Sequence, residues 1–157
     1  TVMLVVCGRA RGLIASATRI VSFGPVSADL KRRHKACVQV DAAFNSLTRP
    51  GASIADIFRA AKKTYSAAGF DREWLLHHQG GPAGYRPRYY TASDKSTGVV
   101  YANSAFAWNP SITGTKSEDT ILVLKDKNEF ITHTGEWPYI EVKHGDTKLY
   151  RPDILVL

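Results

Sequence analysis

Two stretches of this 157-residue chain hold the side chains best suited to chemistry: His77-His78-Gln79-Gly80-Gly81, and the polar run from Asn109 to Glu118. Imidazole is the side chain whose ordinary pKa lets it take and give a proton near neutrality. Gly80 and Gly81 let a backbone approach a ligand closely, and Pro82 stiffens the turn that follows. On an extended strand His77 and His78 point to opposite faces, so one of them is expected to face a site. The same alternation sets Asn109 opposite Trp108, and Glu118 with Thr120 and Leu122 opposite Asp119 and Ile121. A carboxylate on an inward face is costly unless it is paired or ligated. Glu118 therefore either pairs with Lys116 or an arginine, or belongs to a site.

The elements that must position these groups follow from periodicity. Val2–Cys7 reads as a buried strand, and residues 12–23 as a second one, joined by a turn at Arg9-Ala10-Arg11-Gly12. Ser27 caps a helix whose apolar positions run Leu30, Cys37, Val40, Phe44, Leu47, and Arg49-Pro50-Gly51 breaks it. Ser53 caps the next helix, with Asp56 three residues on. Ile54, Ile57, Phe58, Ala61 and Tyr65 share its buried face, and Gly69 stops it. Trp74–His77 reads as a short strand, Gly80–Gly84 as a loop and Tyr85–Tyr90 as extended chain. Ala105–Trp108 and Thr120–Lys125 read as strands, the second turning at Asp126-Lys127-Asn128 into Glu129–His133. Tyr139–Val142 and Lys148–Tyr150 form a hairpin around His144-Gly145-Asp146. Strands, two helices, then strands argue an α+β domain.

Composition narrows the function classes. With 44% hydrophobic and 22% charged residues, the chain has an ordinary globular make-up. No apolar run approaches the ~20 residues of a membrane span. The net charge is +7, and its densest basic run, Lys31-Arg32-Arg33-His34-Lys35, falls on a helix without interleaved aromatics. It reads as a solvated face, with no nucleic-acid partner implied. Cys7 and Cys37 read as buried reduced thiols, which fits a cytoplasmic protein. The chain begins without an initiator Met inside a hydrophobic strand, as a fragment lacking the N-terminal portion of a longer protein would. Residues 1–157 are read as one domain.

Several segments, in order and spacing, resemble the pita-bread family of methionine aminopeptidases, prolidase, Xaa-Pro aminopeptidases and creatinase. Ala15-Ser16-Ala17-Thr18-Arg19 is similar to the family's S-D-x-T-R strand, and Arg49-Pro50-Gly51 to its K-P-G junction. His77-His78-Gln79-Gly80-Gly81-Pro82-Ala83-Gly84 resembles H-G-x-G-H-G-I-G. Phe106-Ala107-Trp108-Asn109-Pro110 resembles F-x-x-E-P-G, and Ser117–Val123 the closing x-E-D-x-x-x-V strand. The resemblance implies a partial pita-bread fold, a curved antiparallel sheet with helices on one face, containing the C-terminal part of that domain. It also implies a dinuclear metal site held by Asp, Asp, His, Glu and Glu. Those positions fall here near Val5 or Val6, on Ser16, on Gly81, on Asn109 and on Glu118, so only Glu118 keeps its ligand type. His77 matches an earlier, non-ligand histidine, and Arg88 stands about where a further catalytic histidine would be. The expectation is no metal ligand set and no cofactor, where the family would use two divalent ions.

Three functions are consistent with that resemblance. The first is an Xaa-Pro aminopeptidase/dipeptidase-like hydrolase domain with a degenerate dinuclear metal site. The second is a metal-independent, creatinase-like amidine or amide hydrolase. In an active enzyme His77 or His78 is the general acid/base, Glu118 orients it or binds a cationic group, and Asn109 hydrogen-bonds a carbonyl. The third is a non-catalytic module for a ligand or partner, with Arg86, Arg88, Tyr85 and Tyr89 as an anion-accepting rim beside Gly81. A small peptide or amide is the expected substrate. A homodimer, or association with the missing N-terminal portion, is the expected assembly, because absent helices leave apolar sheet surface uncovered.

Overall fold

Two serines start the two helices, as their spacing predicts. In the computed structural model, which describes residues 1–157, Ser27 Oγ accepts from Leu30 N at the head of α1 (Ala28–Leu47). Ser53 Oγ accepts from Asp56 N at the head of α2 (Ile54–Ala67). Each such cap is worth about 1 kcal/mol. Gly69 takes the positive φ that lets the chain leave α2, whereas α1 ends in the extended Thr48 before the turn at Pro50-Gly51.

Eleven strands surround this pair: β1 (Val2–Ala10), β2 (Leu13–Ser22), β3 (Gly80–Ala83), β4 (Ser104–Trp108), β5 (Ser111–Ile112), β6 (Thr115–Lys116), β7 (Asp119–Val123), β8 (Asn128–Phe130), β9 (Tyr139–His144), β10 (Thr147–Pro152) and β11 (Leu155–Val156). They form a four-stranded antiparallel sheet β3-β4-β7-β8, a three-stranded sheet β1-β2-β11, and the hairpins β5-β6 and β9-β10. β11 runs parallel to β2, and every other pairing is antiparallel. This is the expected α+β pita-bread architecture. The three- and four-stranded sheets meet where Thr18 N donates to Glu118 O (3.0 Å) and Ser16 N to Thr120 Oγ1 (2.8 Å).

The core lies between both helices and β4 and β7. Phe44 of α1 stacks on Trp108 at 4.5 Å, and Phe58 of α2 meets Phe44 edge-on at 6.3 Å. Trp108 Nε1 donates to Thr48 Oγ1 (2.9 Å), so the buried indole has its partner. The single apolar stripe read for α1 understates its burial. Val38 and Ala42 form a second buried face against Val142 of the β9-β10 hairpin, so α1 is covered on two sides. No helix is long and apolar enough to cross a membrane.

Several local readings need correction. Val2–Cys7 is a strand, but all of β1 is exposed, because it forms a sheet edge and no element covers either of its faces. Cys7 is accordingly exposed, while Cys37 is buried and both are free. Trp74–His77 is not a strand. Glu73–Leu75 forms a 3₁₀ turn that seats Trp74 edge-on against Phe58 at 5.9 Å. Gly80–Gly84 is not a loop, because Gly80 and Gly81 lie in β3, opposite Trp108 and Ala107. A Cβ on Gly80 would stand 2.1 Å from the carbonyl oxygen of Ala107, and one on Gly81 2.6 Å from that of Tyr90. Tyr85–Tyr90 belongs to no strand.

Candidate functional site

The candidate site gathers where β2, β6 and β7 converge beneath the loop that carries Arg88. Alternation along the approach to β7 does what the sequence predicts: Glu118 faces the site and Asp119 faces away. Thr18 Oγ1 donates to Glu118 Oε2 (2.6 Å), Lys116 Nζ lies 2.9 Å from the same oxygen, and Arg88 Nη2 donates to Oε1 (2.9 Å). The side chains of Arg88 and Lys116 are each 9% exposed and that of Glu118 3%, so this ion triad is largely withdrawn from water. Burial opposes the charge on Glu118, but Lys116, the Thr18 hydroxyl and Arg88 outweigh it and hold the carboxyl below its ordinary value. Both partners anticipated for Glu118, a lysine and an arginine, are present together.

The triad borders a cleft of about 480 Å³, lined also by Val5 and Cys7 of β1, His77, His78, Thr91 and Asn109. The two imidazoles do not point to opposite faces. They sit in irregular chain between the 3₁₀ turn and β3, their rings stacked at 4.5 Å, and both line the cleft. Gln79 fixes that bend: its Nε2 donates to His77 O (2.6 Å), and its Oε1 accepts from the Tyr65 hydroxyl (2.8 Å). Burial, then the Lys116 ammonium, lowers the His77 pKa. Burial, then His77 and Arg88, lowers that of His78. Both rings are neutral at pH 7 and able to accept a proton.

Three buried polar atoms at the cleft have no partner: Asn109 Oδ1, His77 Nδ1 and Arg88 Nε. Such atoms are rare in folded proteins, and each leaves hydrogen-bonding capacity for something the fold does not supply. Asn109 is 2% exposed and held by Asn109 N donating to Gln79 O (3.0 Å). The chemistry on offer is proton acceptance by neutral imidazole, hydrogen bonding by a buried amide, and attraction of negative charge by two cations facing one carboxylate.

Of the sequence candidates, His77, His78, Asn109, Arg88 and Glu118 come together. Tyr85 and Arg86 are exposed and do not line the cleft, and Tyr89 Oη accepts from Tyr85 N instead of joining a rim. Gly81 sits in β3 with the backbone of Tyr90 packed where a side chain would be. Thr18, which donates to Glu118, is the contributor the sequence reading missed, and Lys116, expected there only as a partner of Glu118, also lines the cleft. Thr18 lies inside Ala15–Arg19, a segment that reading had already singled out.

The sequence model described as Metallopeptidase family M24 matches residues 1–125. An uncharacterized peptidase of Staphylococcus aureus (strain MW2) is 26% identical over 122 residues, covering 74% of this chain and 34% of that protein. The chain thus spans about a third of the length of the curated relatives it matches. Among solved structures, an X-Pro aminopeptidase from Thermotoga maritima MSB8 superposes with a TM-score of 0.77 at 17% identity, covering 99% of this chain and 42% of that one. A dipeptidase PepE from Mycobacterium ulcerans gives 0.76 at 18% identity, with coverages of 99% and 40%.

Proposed function

This chain belongs to metallopeptidase family M24, and on that premise we propose that it is an Xaa-Pro aminopeptidase/dipeptidase-like hydrolase domain whose dinuclear metal centre is degenerate. The observation that carries the reading is the environment of Glu118. Both of its oxygens already accept from Thr18, Lys116 and Arg88. A pair of divalent ions needs several anionic oxygen donors, and here one carboxylate is flanked by an ammonium and a guanidinium. Ser16, Gly81 and Asn109 stand where the resemblance puts three further ligands, and none is anionic. No group of three His, Cys, Asp or Glu side chains gathers elsewhere in a form that could hold a metal ion. The residues present do not fit the pair.

In this reading the substrate is a short peptide or amide lying in the cleft. A neutral imidazole of His77 or His78 takes a proton from water as the water oxygen attacks the scissile carbonyl, and returns it to the leaving nitrogen, giving an acid and an amine. The Asn109 amide supplies a donor for the oxyanion formed on the way. A second reading, a binding module without turnover, is favoured by the surplus of cations in the cleft. The exposed apolar edge β1 supports self-association, and two free thiols suit a reducing cytoplasm.

A panel of Xaa-Pro dipeptides, assayed with chelator and again with Mn²⁺, tests this. Turnover that survives the chelator and falls at least tenfold in His77→Ala or His78→Ala supports the enzyme reading. Measurable dipeptide binding without turnover moves the assignment to the second. Turnover that requires Mn²⁺, with two ions bound per chain in elemental analysis, overturns the degenerate centre. Light scattering that finds only monomer removes the self-association.

A further inference from the structure

The charged side chains that line the cleft do not balance. Arg88 and Lys116 face only Glu118, leaving a surplus of one positive charge while both imidazoles are neutral. An ammonium carries three donor hydrogens. Lys116 Nζ meets one partner, Glu118 Oε2. Asn109, 2% exposed, adds a side-chain amide whose Oδ1 is buried and unpaired. The cleft continues into a second one of about 400 Å³ that shares Val5, His77 and Lys116 and is lined also by Met3, Ile112 and Glu73, whose carboxylate is already held by the Thr113 amide and hydroxyl. Lys116 therefore stands at the junction between a polar pocket and a more apolar groove along β1.

We propose that this junction is a carboxylate-binding site: Lys116, with Arg88 behind it and Asn109 beside it, anchors the carboxylate of a small organic monoanion whose remaining atoms lie along Met3 and Val5. One surplus charge matches one carboxylate, whereas a phosphate dianion would leave a negative charge uncompensated beside an ion triad largely withdrawn from water. The unpaired amide of Asn109 and Nδ1 of His77 suit a ligand with polar groups near its acid, as an acylated amino acid or short peptide has. The proposal rests on the reading of this cleft as one without a metal pair. It does not require turnover.

Glu118 competes with such a ligand for both cations, so removing its charge should strengthen binding. That sign is opposite to what a metal ligand or an orienting carboxylate would give. The test titrates the full chain with N-acetylglycine, its uncharged amide and inorganic phosphate, following backbone amide chemical shifts. The acid is expected to saturate with shifts centred on Asn109 and Lys116, and to bind at least tenfold tighter than the amide and tighter than phosphate. Lys116→Gln, which keeps the neutral Arg88–Glu118 pair, is expected to fold and to lose at least tenfold in affinity. Glu118→Gln is expected to bind the acid severalfold tighter, and if it is unstable alone, to gain more thermal stability from N-acetylglycine than from equal chloride. Equal binding of acid and amide overturns the proposal, as does unchanged affinity in Lys116→Gln or weaker binding in Glu118→Gln. A chain that binds neither Mn²⁺ nor N-acetylglycine refutes the carboxylate site alone. A chain that binds two Mn²⁺ and loses them in Glu118→Gln refutes the reading beneath it.

Discussion

Glu118 and Asp119 are consecutive carboxylates, yet they enter two charge clusters of opposite design. Asp119 faces inward beneath β7, where Arg151 Nη2 donates to Oδ2 (2.9 Å), Arg19 Nη2 to Oδ1 (2.8 Å) and the Thr132 hydroxyl to Oδ1 (2.6 Å). Arg151 also reaches Asp41, its Nε donating to Oδ2 (2.7 Å), and Asp41, Asp119 and Arg151 are all fully buried. Two carboxylates meet two guanidiniums, and no atom of these four side chains is among the buried ones left without a partner. The Glu118 cluster carries one cation too many and borders three unpaired atoms. A closed cluster fixes shape, because each charge has its answer inside the chain. An open one keeps its capacity for something else. Burial alone does not separate the two, but the balance of charges and partners does.

The largest break in this comparison should come from Arg151→Met, which strands the buried Asp41 carboxylate, leaves Asp119 with Arg19 as its guanidinium, and is expected to cost about 3–5 kcal/mol in urea unfolding. A cost below about 1 kcal/mol would mean the closed cluster is not what fixes the packing of the β9-β10 hairpin on α1. Lys116→Gln should cost clearly less than Arg151→Met, because it leaves a neutral pair behind. Equal losses would erase the distinction between surplus and balance. Acid should separate the clusters next. Burial opposes the charge on Asp119, but Arg151, His133, Arg19 and Thr132 hold its carboxyl far below the ordinary value. Its contribution is therefore fully present above the unfolded pKa of about 3.9 and is lost as pH falls below it. His34, lowered by burial, adds stability that begins to fall at a higher pH, as the unfolded histidine protonates below about 6.5. Thermal midpoints should thus decline in two stages on acidification, and Arg151→Met should flatten the lower one. The smallest effect is Thr18→Val, which removes one hydrogen bond to Glu118 and should cost about 1 kcal/mol. It should also raise the Glu118 pKa, readable by carboxyl ¹³C titration.

What the sequence revealed and what it hid divide along the distance over which each feature is decided. Both helices were legible, because serine caps, helical spacing and stopping glycines act within a few residues. The β9-β10 hairpin was legible for the same reason. β3 was not, since two glycines and a proline carry no strand propensity. What makes Gly80–Ala83 a strand is the backbone of Ala107 and Tyr90 pressing where a Cβ would be. The histidine pair lines the candidate cleft, but with its rings stacked and not on opposite faces as strand alternation predicts. The bend that stacks the rings is held by the Gln79 amide and the Tyr65 hydroxyl, 14 residues upstream. Arg151 carried no signal at all, because its partner Asp41 lies 110 residues away.

One wall of the cleft is β1, and its only hydrogen-bonded neighbour in this chain is β2. Its backbone is thus tied along one side alone, with no packed layer on either face to resist opening. Amide hydrogen exchange should be fastest among the strands along Val2–Cys7, and slowest in β4 and β7 at the core. Opening and closing at this site is then a matter of which wall breathes. The floor of the cleft shares the stability of the whole domain, while the edge beside Val5 and Cys7 yields at a small fraction of it.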